Sequence, residues 1–205
     1  MNIYWFGEGY CKIEGEKATV VTNVFDKSVG LSLPRPSADI VLASTPEHAE
    51  LGTSVKATQG QAFMIDRPGE YEVKDVFVYA INAPTIDSLI FRIEIDGIAI
   101  GFFGSVDHVP TSAELERIEG IDIAIMPVGG NGTLTGQQAT GLISTIEPRV
   151  VIPTHFALDG LKPKRDALKT FCNEIGACPA ESINKYKIVK KDLPQDTLQV
   201  VVLQP

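Results

Sequence analysis

The chain has 205 residues, 44% apolar and 21% charged, enough for one folded unit with a sizeable core. Its 18 Lys and Arg against 26 Asp and Glu give a formal net charge of −8, which argues against a nucleic-acid or anionic-membrane partner. No apolar run reaches membrane-spanning length, and the opening Met1-Asn2-Ile3-Tyr4-Trp5-Phe6 lacks the basic start of a signal peptide; three cysteines (Cys11, Cys172, Cys178) make no even framework, so a reduced, cytoplasmic protein is expected.

Short β-like runs fill the first two-thirds. Residues 3–6, 10–13 and 18–22 are separated by glycine-containing turns. Residues 40–43 are continuously apolar after the Pro34-Arg35-Pro36 break and predict a buried strand. Strands are also predicted at 62–65, 76–81, 88–95 and 98–103. Asp96-Gly97 between the last two predicts a type I′ turn, in which both central residues need φ > 0. The texture then changes to alternating helix and strand. Helices are predicted at 111–118 with a Thr or Ser cap, at 135–146 with Thr135 as cap, and at 163–175 ending at Gly176. In the second of these, Ala139, Leu142, Ile143 and Ile146 share one face. Strands at 121–126, 150–152 and 198–203 complete the pattern. No linker or low-complexity tract is present, so a single domain over 1–205 is expected, with sheets covered by helices.

Four strands run into polar, kinked loops: Ser44-Thr45-Pro46-Glu47-His48-Ala49-Glu50, Gly104-Ser105-Val106-Asp107-His108, Pro127-Val128-Gly129-Gly130-Asn131-Gly132 and Pro153-Thr154-His155-Phe156. In open α/β sheets the ligand crevice lies beyond the carboxyl ends of the strands, so a pocket is expected where these loops share an edge.

These loops, with Ile3-Tyr4-Trp5-Phe6-Gly7, Thr22-Asn23-Val24-Phe25-Asp26, the segment from Ala38 to Ser44 and Pro68-Gly69-Glu70-Tyr71-Glu72, resemble the metallo-β-lactamase fold superfamily. The similarity is to the branch of small bacterial hydrolases like ascorbate-phosphate lactonase, and it covers nearly the whole chain. It implies an α/β (α+β) four-layer αββα sandwich with a site along one edge. It also implies two divalent ions, held by a His-x-His-x-Asp-His loop, a later His, a bridging Asp and a final His. Here Thr45 stands for the first His, Glu47 for the second, Ala49 for the Asp and Glu50 for the third His, and His48 falls on a spacer. The intermediate His is missing from residues 83–87, the bridging Asp is Ser105, and Asn23 and Glu8 replace further family residues. Only His155 matches a ligand position.

The residue chemistry agrees. Ala49 cannot ligate, hydroxyls are weak zinc ligands, and one imidazole falls short of the three protein ligands of a catalytic zinc. Zinc is therefore not expected, and no catalytic residue is assigned. Thr45, Glu47, His48, Glu50, Ser105, Asp107 and His155 are expected to line a vestigial pocket. The function expected is a non-catalytic one, binding a small molecule or a protein partner, with a homo-oligomer as one form. The alternative is a remodelled hydrolase, in which Glu47, Glu50, Asp107 and His155 hold magnesium or manganese.

Blander roles stand beside these. His155 reads as a pocket-lining imidazole bonded to backbone, and Glu47, His48 and Glu50 as a solvated loop opening a helix. Asp107 and His108 read as neighbours pointing apart. Residues 127–132 form either a tight turn or an anion cradle of backbone N–H groups. No Gly-x-Ser-x-Gly elbow exists, and no serine can be placed in a triad with the three histidines. Cys11 lies in a strand run with nothing to activate it, Cys172 and Cys178 read as ordinary small apolar residues, and Trp5, Phe102 and Phe103 as core.

Overall fold

In the computed structural model, which describes residues 1–83 and 88–205, two β-sheets share one apolar core. The first sheet contains β1 (Asn2–Trp5), β2 (Cys11–Glu14), β3 (Thr19–Thr22), β4 (Ile40–Leu42), β5 (Phe63–Ile65) and β12 (Tyr186–Lys187). Their order is β12-β1-β2-β3-β4-β5. The second contains β6 (Gly69–Val73), β7 (Val76–Asn82), β8 (Leu89–Ile95), β9 (Ile98–Phe102), β10 (Ile123–Pro127), β11 (Val150–Thr154) and β13 (Gln199–Val200). Their order is β13-β11-β10-β9-β8-β7-β6. Each sheet begins antiparallel and turns parallel: β3, β4 and β5 run together in one, and β9, β10, β11 and β13 in the other.

The alternation of the sequence explains the layers. In β1 and β2, Ile3, Trp5, Cys11 and Ile13 face inward while Asn2, Tyr4, Lys12 and Glu14 are half-buried. β10 and β11 are buried on both faces, as parallel strands under helices must be. Helix α3 (Gly136–Ile146) buries Ala139, Leu142 and Ile143, and helix α4 (Leu168–Ile175) packs beside it through Phe171. Helix α1 (Pro46–Gly52) follows β4 in the first sheet, and the short helix α2 (Ser112–Leu115) leads into a 3-10 turn at Glu116–Ile118. This is the mixed α/β architecture expected, and the central pair Ile13 and Leu42 meets Phe91, Ile100 and Ile152 in one cluster.

Asp96 and Gly97 have φ of 51° and 74°, so the type I′ turn forms as the dipeptide predicts. A second turn of this kind joins β6 to β7 at Lys74 and Asp75, φ 51° and 61°, without the usual glycine. Trp5, Phe102 and Phe103 are buried core residues.

Several expectations need correction. The helix expected from residue 163 begins only at Leu168, because the backbone before it bonds sideways: Asp166 N–H to Gly129 and Ala157 N–H to Asp166. The closing strand narrows to Gln199–Val200, with Leu203 bridging separately to Ile183. Cys172 and Cys178 are not two separate apolar residues. They form a disulfide with Cα atoms 5.3 Å apart, because Gly176 at φ 70° ends α4 and turns Cys178 back toward it. Cys11 stays free and buried, and burial pushes its thiol up to about 12, so it is no nucleophile. Among the described residues no helix is long and apolar enough to cross a membrane.

Candidate functional site

The parallel runs of both sheets deliver their carboxyl ends to one place. Asn23 follows β3, Ser44 and Thr45 follow β4, Gly104 and Ser105 follow β9, Gly129 follows β10 and His155 follows β11. Asn23 Oδ1 accepts from the Ser44 N–H at 2.8 Å, and the Ser44 carbonyl accepts from Leu89 N–H at 2.8 Å, which ties the first sheet to the second. Gly104, at φ 53°, passes so close that a Cβ there would stand 2.2 Å from Ser44 Oγ. A Cβ on Gly129 would stand 1.7 Å from the His155 carbonyl oxygen. Gly129 is therefore required by backbone approach, and Gly104 by its left-handed φ together with the Ser44 side chain pressed against it.

His155 is 2% exposed and sits at φ 54°, an uncommon conformation for a side-chain-bearing residue. Its Nδ1 lies 3.0 Å from Thr154 Oγ1 and its Nε2 lies 3.4 Å from Ser105 Oγ. Its ring thus meets hydroxyls, where a backbone partner was expected. Ser105 stands beside His155, a pairing the sequence did not reveal. Burial, then the charges of Arg165 and His48, holds the His155 pKa well below the ordinary imidazole value. An imidazolium is disfavoured there, and Thr154 offers no carboxylate to stabilise one, so the pair lacks the third member of a triad.

Thr45 caps α1, accepting from the His48 N–H at 3.4 Å, and its Oγ1 lies 2.8 Å from His48 Nδ1. Burial lowers the His48 pKa to about 4. Glu47 and Glu50 stay exposed on α1. Asp107 and His108 do not point apart: their Oδ1 and Nδ1 are 2.7 Å from each other. The loop after β10 is no anion cradle. Its Gly130 N–H is spent on the Leu134 carbonyl, and the Gly130 and Asn131 carbonyls accept from Arg165. Arg165 was invisible to sequence reasoning, since the basic run before it carries no pattern beyond charge.

The fit to a divalent ion fails on these residues. Among the described residues no three His, Cys, Asp or Glu side chains gather where an ion could sit. The Glu8 carboxylate is engaged by Arg165. Asn23 turns a buried amide nitrogen, without a partner among the described residues, toward the cleft floor beside Gly104 and His155, and a donor there repels a cation. Ser44 Oγ is likewise buried without a partner among the described residues. The four residues of the remodelled site, Glu47, Glu50, Asp107 and His155, are not brought together. The expected position of the intermediate His falls largely on residues 84–87, outside the described residues. Beside Ser44 and Thr45 a groove of about 440 Å³ runs past Pro46 to Asn82, Ser88 and Leu89.

Residues 2–155 match the beta-lactamase superfamily domain family. A solved structure from Thermotoga maritima, provisionally named a Zn-dependent hydrolase of the metallo-β-lactamase superfamily, is 29% identical; it superposes with a TM-score of 0.82 over 99% of this chain and 98% of that one. A metallo hydrolase of Ignicoccus hospitalis, 18% identical, shares the fold with a TM-score of 0.64 over 100% of this chain and 95% of its own. Two curated relatives carry the name UPF0173 metal-dependent hydrolase. The one from Thermococcus onnurineus is 27% identical over 50% of this chain and 41% of its own length. The one from Natranaerobius thermophilus is 27% identical over 62% and 59% respectively. The chain thus matches well under two-thirds of either relative. The family match, the two sheets and the shared topology agree: this chain belongs to the beta-lactamase superfamily domain family and has the metallo-β-lactamase fold.

Proposed function

We propose that this chain is a metallo-β-lactamase-fold protein whose cleft binds a small, polar, non-anionic ligand without a hydrolytic metal centre. The observation that carries the reading is the donor set: of the positions where the family places ligands, His155 alone supplies an imidazole. The groups that line the cleft and its groove are hydroxyls, amides and neutral imidazoles, Thr45, His48, Asn82, Ser88, Ser105 and His155, with one carboxylate, Asp66, in the groove. Such groups recognise hydrogen-bonding ligands, and Asp66 disfavours an anionic one. A protein partner or a second copy is compatible with the same cleft.

A second reading is favoured by the names of the relatives, which are metal-dependent hydrolases. On that reading Glu47, Glu50, Asp107 and His155, which stand apart in the structure, come together only around a magnesium or manganese ion, and the protein hydrolyses a small substrate.

Plasma mass spectrometry on untagged protein, purified without chelator and soaked in zinc, manganese or magnesium, separates the two. The expected result is less than a tenth of an ion per chain, roughly, since fewer than three ligands hold no catalytic ion. One tightly held ion per chain, lost in His155→Ala, would establish the hydrolase reading instead. A thermal-shift panel of neutral polyols, lactams and nucleosides then searches for the ligand.

A further inference from the structure

Between β11 and α4 lies a side chain that the proposed reading leaves unused. The Arg165 side chain is only 11% exposed and the Glu8 side chain opposite it 12%. Arg165 Nε donates to both Glu8 carboxylate oxygens at 3.2 Å, and Nη2 donates to Oε2 at 2.5 Å. Nη1 donates to the carbonyls of Gly130 and Asn131 at 3.1 and 2.8 Å. Four oxygens from two loops therefore surround one cation carried by a third segment.

The fork geometry matters. A planar guanidinium meets a carboxylate edge-on and still has N–H groups for two carbonyls, whereas an ammonium is a point charge that cannot span them. The loops are also bent to present these oxygens. Glu8, Gly130 and Asn131 sit at φ 45°, 59° and 50°, all left-handed. Asp166, next in sequence, donates its N–H to the Gly129 carbonyl at 2.8 Å, and Gly129 is the residue pressed against the His155 carbonyl. The guanidinium thus reaches the cleft floor through one covalent neighbour and one hydrogen bond.

We propose that Arg165 is a resident cation: fixed in an oxygen cage made by Glu8, Gly130 and Asn131, it holds the cleft loops in register, as a bound metal ion would, but without dissociating. Metal binding organises a site by gathering ligands from separate segments, and that ordering is lost when the ion leaves. A guanidinium covalently tied to the chain gathers the same kind of oxygen donors and cannot be chelated away. Arg165 is in this sense a positioning residue. The inference rests on the reading that the cleft works without metal, and the experiment keeps the two apart.

The test uses the whole chain with Arg165→Ala, Arg165→Lys, Glu8→Gln and the Glu8→Gln/Arg165→Ala double variant. Arg165→Ala is expected to lower Tm by about 10 °C, since a nearly buried carboxylate and two carbonyls lose their partner. Amide exchange at residues 129–132 is expected to speed up about tenfold or more. Arg165→Lys recovers only a minor part of either loss, and the double variant is no less stable than Arg165→Ala. Millimolar guanidinium chloride restores Tm and exchange protection in Arg165→Ala, whereas equal sodium chloride does not. Arg165→Lys behaving as wild type, additive losses in the double variant, or failure of guanidinium to rescue would each overturn the proposal. If Arg165→Ala does not fold, exchange in Arg165→Lys and Glu8→Gln decides the matter: unchanged protection at residues 129–132 overturns the proposal. A fall in wild-type Tm on adding chelator would instead overturn the metal-free reading, whatever the Arg165 variants do.

Discussion

At the scale of single residues, the chain settles buried charge by surrounding it. Asp39 lies at the start of β4 with its side chain 7% exposed, and it accepts from the Thr19 N–H at 2.8 Å, from the Thr58 hydroxyl and from Lys74 Nζ at 2.7 Å. Burial alone would raise its pKa. The Lys74, Thr58 and Thr19 donors outweigh it and hold the carboxyl below the usual value. Asp39→Asn is expected to cost about 2 kcal/mol in urea unfolding at neutral pH, the scale of a hydrogen bond to a charged group. The loss should disappear when the measurement is repeated below the folded pKa of Asp39, where the wild-type carboxyl is also neutral. The cleft residues were only half legible in the sequence at this scale. The position of His155 could be read because its strand and loop follow a recognisable pattern. Its partners Thr154 and Ser105 could not, because a left-handed backbone at residue 155 decides where the ring points.

At the scale of elements, local chemistry was a good guide wherever capping or turn residues carried it. Thr135 accepts from Gln138 N–H at 3.2 Å, and the Gln138 side chain returns a bond to Thr135 N–H at 2.9 Å, a reciprocal cap that starts α3 where the sequence predicts it. Thr135→Ala is expected to cost about 1 kcal/mol by chemical denaturation, with no change in the helix content of the folded state. Where the sequence misled, the deciding contacts were distant. The sequence predicts residues 163–167 in the helix, but the Asp166 backbone bonds to Gly129 and Ala157 instead. The β6–β7 hairpin escaped notice because Lys74 and Asp75 take the left-handed turn without glycine or asparagine. The Cys172–Cys178 pairing escaped for a related reason. Only the reversal at Gly176 brings the two side chains together, and spacing alone does not reveal it.

At the scale of the whole molecule, two histidines make stability depend on pH. His48 has a folded pKa of about 4 and His155 one well below 6.5, both held down first by burial. The unfolded chain therefore binds more protons than the folded one between about pH 6.5 and pH 4, and stability falls as pH drops through that window. It is flat above the window as far as these groups are concerned. His48 alone is worth up to about 3 kcal/mol at 1.4 kcal/mol per unit. Urea midpoints between pH 4 and pH 7.5 should show this loss, and His48→Asn should flatten the curve. The fold itself was legible at this scale, since strands in hairpins followed by alternating helices and strands leave few architectures open.

Residues with side chains, Glu8, Asn23, Asn131 and His155, hold left-handed backbone in the loops that build the cleft. Glycine would relieve that strain, yet a selection for heat resistance alone should retain Asn23 and His155, because Asn23→Gly severs the bond to Ser44, the residue that ties the sheets, and His155→Gly leaves a cavity where a side chain only 2% exposed now sits. Sequencing heat-selected survivors would show side chains kept at both positions, the strain being stored where packing around the cleft floor outweighs it.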